Sequence, residues 1–269
     1  MAKSRKPLTA KTADRFDLYE QSVQCPEADV VFMDRVFRKH RGRDPLSLRE
    51  DFCGSAFLCA EWVKGKPRRS AEGVDLDRDV LAFGKARHID TLPKSAGPVR
   101  LLREDVLKRK KPLVDIQVAF NFSYCIFQER STLLQYFTAV RQSLKRDGLF
   151  FLDLHGGSES MDALTEKKKK SGFTYVWEQG RFDPITAHRI SHIHFQFPDG
   201  TKMRKAFSYD WRIWSLPEVR DLLAEAGFAS SDVYWEGTDR STGEGNGVYR
   251  KVTKGENDLS YICYIVGVR

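Results

Sequence analysis

No run of this chain approaches the ~20 consecutive apolar residues that a membrane-spanning helix requires. Its first residues, M-A-K-S-R-K-P-L-T-A-K, carry no apolar segment of the kind that marks a secretory leader. A cytoplasmic protein without membrane contact is therefore expected. Cysteine is sparse and scattered: Cys25, Cys53, Cys59, Cys125 and Cys263 are odd in number and contain no C-x-x-C pair. That argues against both a zinc ribbon and a disulfide framework, and reduced thiols are expected. There is no G-x-G-x-x-G, which counts against a nicotinamide oxidoreductase. T-G-E-G-N-G at residues 242 to 247 lacks both the Lys-Ser/Thr and the following helix of a phosphate loop, so it reads as a hairpin connection. His192 and His194 share a strand face without a third ligand nearby, so no metal site is expected.

What is present suits an ordinary globular protein. Of 269 residues, 41% are hydrophobic, 12% aromatic and 30% charged, enough for one core with an insertion and unlike disordered, collagenous or coiled-coil chains. Lys and Arg number 45 against 37 Asp and Glu, a net charge of +8. The excess sits in short clusters (3 to 6, 35 to 43, 64 to 69, 108 to 111, 167 to 170) rather than along one helical face with interleaved aromatics. Solvated surface is the better reading of such clusters, and a nucleic-acid partner the lesser one.

Along the chain, residues 12 to 40 carry helical spacing, with Phe16, Leu18, Val30, Met33, Val36 and Phe37 as buried positions, and predict two helices ahead of the main fold. From Leu46 short strands alternate with helices. L-S-L-R-E-D-F, A-E-G-V-D-L-D, V-R-L-L-R-E-D-V, D-I-Q-V-A-F-N-F and L-F-F-L-D-L read as strands, which predicts a parallel sheet covered by helices on both faces. The rhythm breaks at 157 to 172, a Lys-rich stretch expected to be a loop. An antiparallel hairpin around Pro198-Asp199-Gly200 follows, with Ile193, Phe195 and Phe197 on one face and only Lys205 polar on the facing side of its second arm. Ser215 and Glu218 form a capping box before Val219, Leu222 and Leu223. S-D-V-Y-W-E and Y-I-C-Y-I-V-G-V then close the chain as strands across a Gly-rich connection.

In open α/β sheets ligands bind beyond the carboxyl ends of the strands, and here those ends are acidic. The first finishes in Glu50-Asp51-Phe52-Cys53-Gly54-Ser55-Ala56, the second in Asp75-Leu76-Asp77, the third in Glu104-Asp105-Val106. A carboxylate at the second end can accept both hydroxyls of a ribose. One at the third can accept from an adenine amino group, and Gly54 lets a ligand approach the backbone closely.

These residues resemble the class I S-adenosylmethionine (SAM) dependent methyltransferases over about residues 46 to 269. In that family a turn written D/E-x-G-x-G-x-G follows the first strand; E-D-F-C-G-S-A is similar to it, with Glu50 at the acidic position, Gly54 at the central glycine, and Phe52 and Ala56 in place of the outer two. The resemblance implies a Rossmann-like seven-stranded, mostly parallel sheet with its last strand inserted antiparallel. It implies cofactor contacts from Glu50, Phe52, Cys53 and Gly54, from Asp75 on the ribose and Leu76 on the adenine, and from Asp105 and Val106 at the adenine amine. Asn121-Phe122-Ser123-Tyr124 is similar to the Asn-Pro-Pro-Tyr signature of methyltransferases acting on planar amines, with both prolines missing. There Asn121 can meet the methionine part of SAM and Tyr124 can face the acceptor, although a plain loop fits equally. His155, past the fifth strand, is a candidate proton acceptor or a structural histidine. Tyr19 resembles the N-terminal tyrosine that closes over SAM and equally fits a core aromatic. Phe52, bulky at a glycine position, is expected to avoid positive φ and to turn its ring from the ligand.

The implied organisation is an N-terminal tail with capping helices (1–45), a SAM-binding core (46–156), an antiparallel lid (157–213) and a C-terminal helix and hairpin completing the core (214–269). The implied activity is methyl transfer from SAM to a small-molecule nitrogen or oxygen nucleophile, with SAM as cofactor. RNA or protein methylation and a non-catalytic SAM-binding subunit are the alternatives. Neither the acceptor nor the oligomeric state is legible.

Overall fold

The computed structural model describes residues 8–239, 241–242 and 245–269. In chain order its elements are α1 (Arg15–Val23), α2 (Pro26–Arg41), β1 (Ser47–Asp51), α3 (Phe57–Val63), β2 (Ser70–Asp75), α4 (Arg78–Gly84), β3 (Val99–Arg103), β4 (Val114–Ala119), α5 (Arg130–Ser143) and β5 (Leu144–Gly156). There follow β6 (Leu164–Lys170), β7 (Phe173–Gln179), β8 (His188–Gln196), β9 (Lys202–Arg212), α6 (Leu216–Glu225), β10 (Ser230–Thr238), β11 (Gly245–Val252) and β12 (Tyr261–Val268). The chain divides into two units, residues 1–24 with 159–213 and residues 25–158 with 214–269. Among the described residues no helix is long and apolar enough to cross a membrane.

The larger unit is built on a sheet of order β11-β10-β12-β5-β4-β1-β2-β3. β1 to β5 run parallel, and β12 lies antiparallel between β5 and β10. This is the Rossmann-like sheet that the strand pattern predicts, with one strand more than expected: β11 pairs antiparallel with β10 and forms an edge. Its residues are almost all exposed, so no alternating pattern marked it within the Gly-rich connection.

Local chemistry accounts for the helices of this unit. α2 opens on Pro26 with Glu27 and Asp29 in its first turn, carries Arg38 to Arg41 in its last, and stops at Gly42 with φ 65°. That order of charges complements the helix dipole, and the left-handed glycine ends the helix at little steric expense. Its Phe32, Met33, Val36 and Phe37 bury against Leu48 and Ile116 of the sheet and Trp62 of α3. α6 begins with the expected capping box, Ser215 and Glu218 each accepting the other's backbone N–H. β4, buried at every position, is a central strand, and Asp115 within it is held below the usual carboxylate range, at about 2, by the Arg43 and Lys145 side chains and the Leu46 N–H against the opposing effect of burial.

The smaller unit is a four-stranded antiparallel sheet, β6-β7-β8-β9, with α1 in the same apolar cluster: Leu18 packs with Phe173, Tyr175, Ile193, Phe195 and Phe197. Two expectations are corrected here. The Lys-rich stretch is not a loop throughout, because Leu164–Lys170 is an edge strand whose exposed lysines lie along an open edge, where charge discourages pairing with another chain. Lys205 does not interrupt an apolar face either. The β8–β9 register shifts between Ile193 and Phe195, Lys205 turns outward with φ 50°, and Ala206 is buried in the bulge.

Candidate cofactor site at the strand ends

The turn after β1 is held by its neighbours. Cys53 N–H reaches Val74 O at 3.0 Å, Ala56 N–H reaches Cys53 O at 2.7 Å, and Gly54 N–H donates to Asp75 Oδ2 at 2.8 Å. Asp75 Oδ1 accepts from Asp77 N–H at 2.9 Å, and Asp77 in turn caps α4 through the N–H groups of Asp79 and Val80. The carboxylate at the end of β2 is therefore clasped to the turn after β1, and each of its oxygens keeps a second lone pair for another donor.

Phe52, Gly54 and Ala56 all have left-handed backbone, with φ of 56°, 52° and 54°. These are the three positions at which the methyltransferase turn carries glycine. The expectation that Phe52 avoids positive φ is thus overturned: the path of the turn is kept and the side chain is accommodated. A non-glycine residue there costs about 1–2 kcal/mol. The Phe52 ring offsets this by packing at 5.9 Å from Phe127 and 5.7 Å from Tyr136. Two glycines elsewhere make room for the turn. A Cβ on Gly84 would lie 2.0 Å from Ser55 O, and one on Gly73 would lie 2.8 Å from Cys53 Sγ. Cys53 is buried, and burial pushes its thiol up, so it acts as an apolar filler.

The remaining candidates divide. Glu50 is buried, accepts from the N–H and Sγ of Cys59, and burial raises its carboxyl to about 8. Leu76, directly past Asp75, is 64% exposed, an apolar surface beside a carboxylate. Asp105 accepts the Leu107 N–H at 3.0 Å beyond β3, with Val106 buried next to it. Asn121, after β4, has φ 57° and donates its N–H to Asp153. His155, near the end of β5, places Nε2 3.1 Å from Ser260 Oγ and its ring 6.0 Å from Phe122. Tyr124 is a correction: it is 1% exposed, it packs at 6.3 Å from Phe137, and burial lifts its phenol far above the ordinary range, so it presents no hydroxyl to an acceptor. Tyr19 belongs to the smaller unit, where its ring packs 4.9 Å from Phe207, while all the other candidates belong to the larger.

The sequence reading passed over a row of groups on one face of the larger sheet. Asp153 on β5 stands opposite Tyr264 on β12, whose hydroxyl donates to Asp29 of α2 at 2.9 Å. Burial raises the Asp153 carboxyl to about 7 and Asp29 to about 6. Asp153 had one signal, a lone charge inside the apolar run L-F-F-L-D-L; Asp29 had none. The glycine-rich segment 242 to 247 falls partly outside the described residues. Among the described residues no group of three or more His, Cys, Asp or Glu side chains is arranged to hold a metal.

The sheet order, with an antiparallel strand between β5 and β10, and the clasped turn after β1 decide the architecture. The chain has the fold of the class I SAM-dependent methyltransferases. Among solved structures it is similar to a SAM-dependent methyltransferase from Clostridium acetobutylicum, with TM-score 0.65 and 18% identity over 94% of this chain and 97% of that one. It is also similar to SAM-bound CalS10, an amino pentose methyltransferase of Micromonospora echinaspora (TM-score 0.65, 14% identity, 98% and 100% of the two chains). The sugar N-methyltransferase KedS8 of a Streptoalloteichus species gives TM-score 0.60 and 18% identity over 100% and 96%. No protein-family model matches the chain, and no curated protein matches it by sequence. At such identities the methyltransferase fold is what the likeness carries.

Proposed function

We propose that the chain binds SAM at these strand ends and transfers its methyl group to a nitrogen or oxygen nucleophile of a small molecule. The observation that carries the reading is the Gly54–Asp75 clasp beside three left-handed turn positions, because it sets a carboxylate and a close-approach backbone side by side at the ends of adjacent strands. The donor and acceptor chemistry of the site fits the cofactor. Asp75 would accept the ribose hydroxyls, Leu76 would cover the flat face of the adenine, and Asp105 would accept from its amino group. Glu50 would take the ammonium end, since a cation beside a buried carboxyl restores its ionised form. SAM, when bound, supplies a methyl group made electrophilic by its sulfonium.

The protein's own work is then to align the acceptor and exclude water. His155, whose imidazole lies near the end of β5, would receive the proton that the nucleophile gives up. The solved relatives named as amino pentose and sugar N-methyltransferases direct the acceptor search to amino sugars first. Calorimetry should show SAM and its demethylated product binding at micromolar levels. Asp75→Ala should weaken binding by about 1–3 kcal/mol, the worth of hydrogen bonds to a charged acceptor. Absence of heat with either ligand on the wild-type chain would overturn the assignment.

A further inference from the structure

Asn121 and Phe122 are consecutive non-glycine residues with left-handed backbone, φ 57° and 56°. Such a pair is strained, and it points successive N–H groups to the same side, the arrangement that binds an anion. Here the anion is internal. Asp153 Oδ2 accepts the Asn121 N–H at 2.8 Å and Oδ1 accepts the Phe122 N–H at 2.9 Å. Bonds to an ionised acceptor are stronger than neutral ones, which offsets the strain of both residues. The turn is completed by Ser123 Oγ donating to Phe120 O at 2.7 Å and by Cys125 N–H donating to Phe122 O at 2.9 Å. The whole segment stands at the carboxyl end of β4, next to β1 in the sheet and so beside the Glu50 and Phe52 turn.

We propose that Asp153 is a positioning residue: by holding the N–H groups of Asn121 and Phe122 on its two carboxylate oxygens, it sets the shape of the segment after β4 that the cofactor meets, and it releases that shape on taking a proton. The inference rests on the methyltransferase reading for its consequence, but not for the grip itself. The groups facing Asp153 are Asp29 from α2, Tyr249 from β11, Cys263 and Tyr264 from β12, and Tyr124 from the segment after β4. Of these only Asp29 carries charge near neutrality, and that charge favours the neutral carboxyl, whereas the phenols and the Cys263 thiol stay neutral there. His155 lies two residues along the same strand. Burial is the larger cause and lifts it to about 7, while the two N–H groups pull it down. Above that pH both oxygens accept. Below it one oxygen carries a proton and becomes a much weaker acceptor, so one of the two N–H bonds is weakened and the grip loosens.

Two measurements on the full chain test this. In the ligand-free wild type, the Asn121 and Phe122 amide resonances of a 15N-labelled sample should titrate together with a midpoint near the carboxyl's value of about 7. Amides that stay unmoved between about pH 5.5 and 8.5 would overturn the proposal, whatever the ligand. With SAM as the probe, Asp153→Asn should weaken binding by roughly tenfold at pH 8, the order expected when a contact segment is misplaced. It should also remove the component of the pH profile that titrates near 7 and leave that of Glu50. A folded variant with wild-type SAM affinity and an unchanged profile would overturn it. Phe122→Gly in the Asp153→Asn background should recover most of the affinity, because glycine holds left-handed φ without the clamp; no recovery would also count against it. If the wild type binds no SAM, the methyltransferase reading fails while the amide titration still decides the grip. If Asp153→Asn does not fold, that titration alone is decisive.

Discussion

Replacing Asp51 by Asn should make the chain more stable relative to wild type as the pH rises, a sign opposite to that of an ordinary surface carboxylate. Asp51 is buried between the strand and α5. Its Oδ2 accepts from Gln117 Nε2 at 2.6 Å and from the Tyr136 hydroxyl at 2.7 Å, and its Oδ1 has no partner. Burial raises its carboxyl from 3.8 to about 6 against the pull of those two donors. In the unfolded chain the proton leaves near 3.8; in the folded chain it stays until about 6. The folded state therefore binds more protons across that window, and stability falls as pH rises through it. A displacement of about 2 pH units corresponds to about 3 kcal/mol once the pH is above both values. Asparagine keeps an oxygen for Gln117 and Tyr136 and does not titrate. Burying its amide N–H adds a penalty, but one independent of pH, so the observable is the difference between the two melting curves as a function of pH. For a chain of this length about 3 kcal/mol corresponds to roughly 5 °C. Because part of the effect already lies below pH 4.5, melts of both proteins from pH 4.5 to 8 should show the variant gaining about 2 kcal/mol, or roughly 3–4 °C, on wild type, mostly below pH 6.5. A constant difference, or wild type gaining on the variant, would refute the argument that a desolvated charge sits at Asp51.

The turn itself offers two further tests. Gly84→Ala should destabilise by about 3 kcal/mol or displace the turn, the penalty of overpacking against rigid backbone, since its Cβ would meet Ser55 O at 2.0 Å; a denaturant midpoint equal to that of wild type would contradict the close approach. Ala56→Gly should be within about 1 kcal/mol of wild type, relief of left-handed strain balancing a lost methyl and added chain entropy. Phe52→Gly, by contrast, should cost about 1–3 kcal/mol through its aromatic partners, and finding it more stable than wild type would show that the ring does not hold the turn.

Much of the architecture was legible from residue order, for local reasons. Alternating strands and helices announced the parallel sheet, and acids at the ends of three successive strands marked the candidate site proposed here. Ser215 and Glu218 read correctly as a capping box because the motif closes within four residues. Other features were not legible because nothing near them in the chain determines them. β11 and β6 are edge strands whose polar residues look like loop until a neighbour pairs with them. Tyr124 read as either an acceptor-facing group or part of a plain loop, and only the packing of α5 over it reveals a core residue.

The deepest division is at Phe52, Ala56, Asn121 and Phe122. By local rules Phe52, Ala56 and Phe122 should avoid left-handed backbone, which an asparagine such as Asn121 tolerates better, and all four adopt it. What overrides the rule is distant in sequence: Phe127 and Tyr136 beside the Phe52 ring, Asp75 on the Gly54 N–H, and Asp153 on the N–H groups of Asn121 and Phe122. The order of residues by itself determined that carboxylates end the strands. Only the tertiary structure decided which of them hold the turns and which lie at about neutral pKa, because burial and the convergence of backbone donors arise only when the strands are laid side by side.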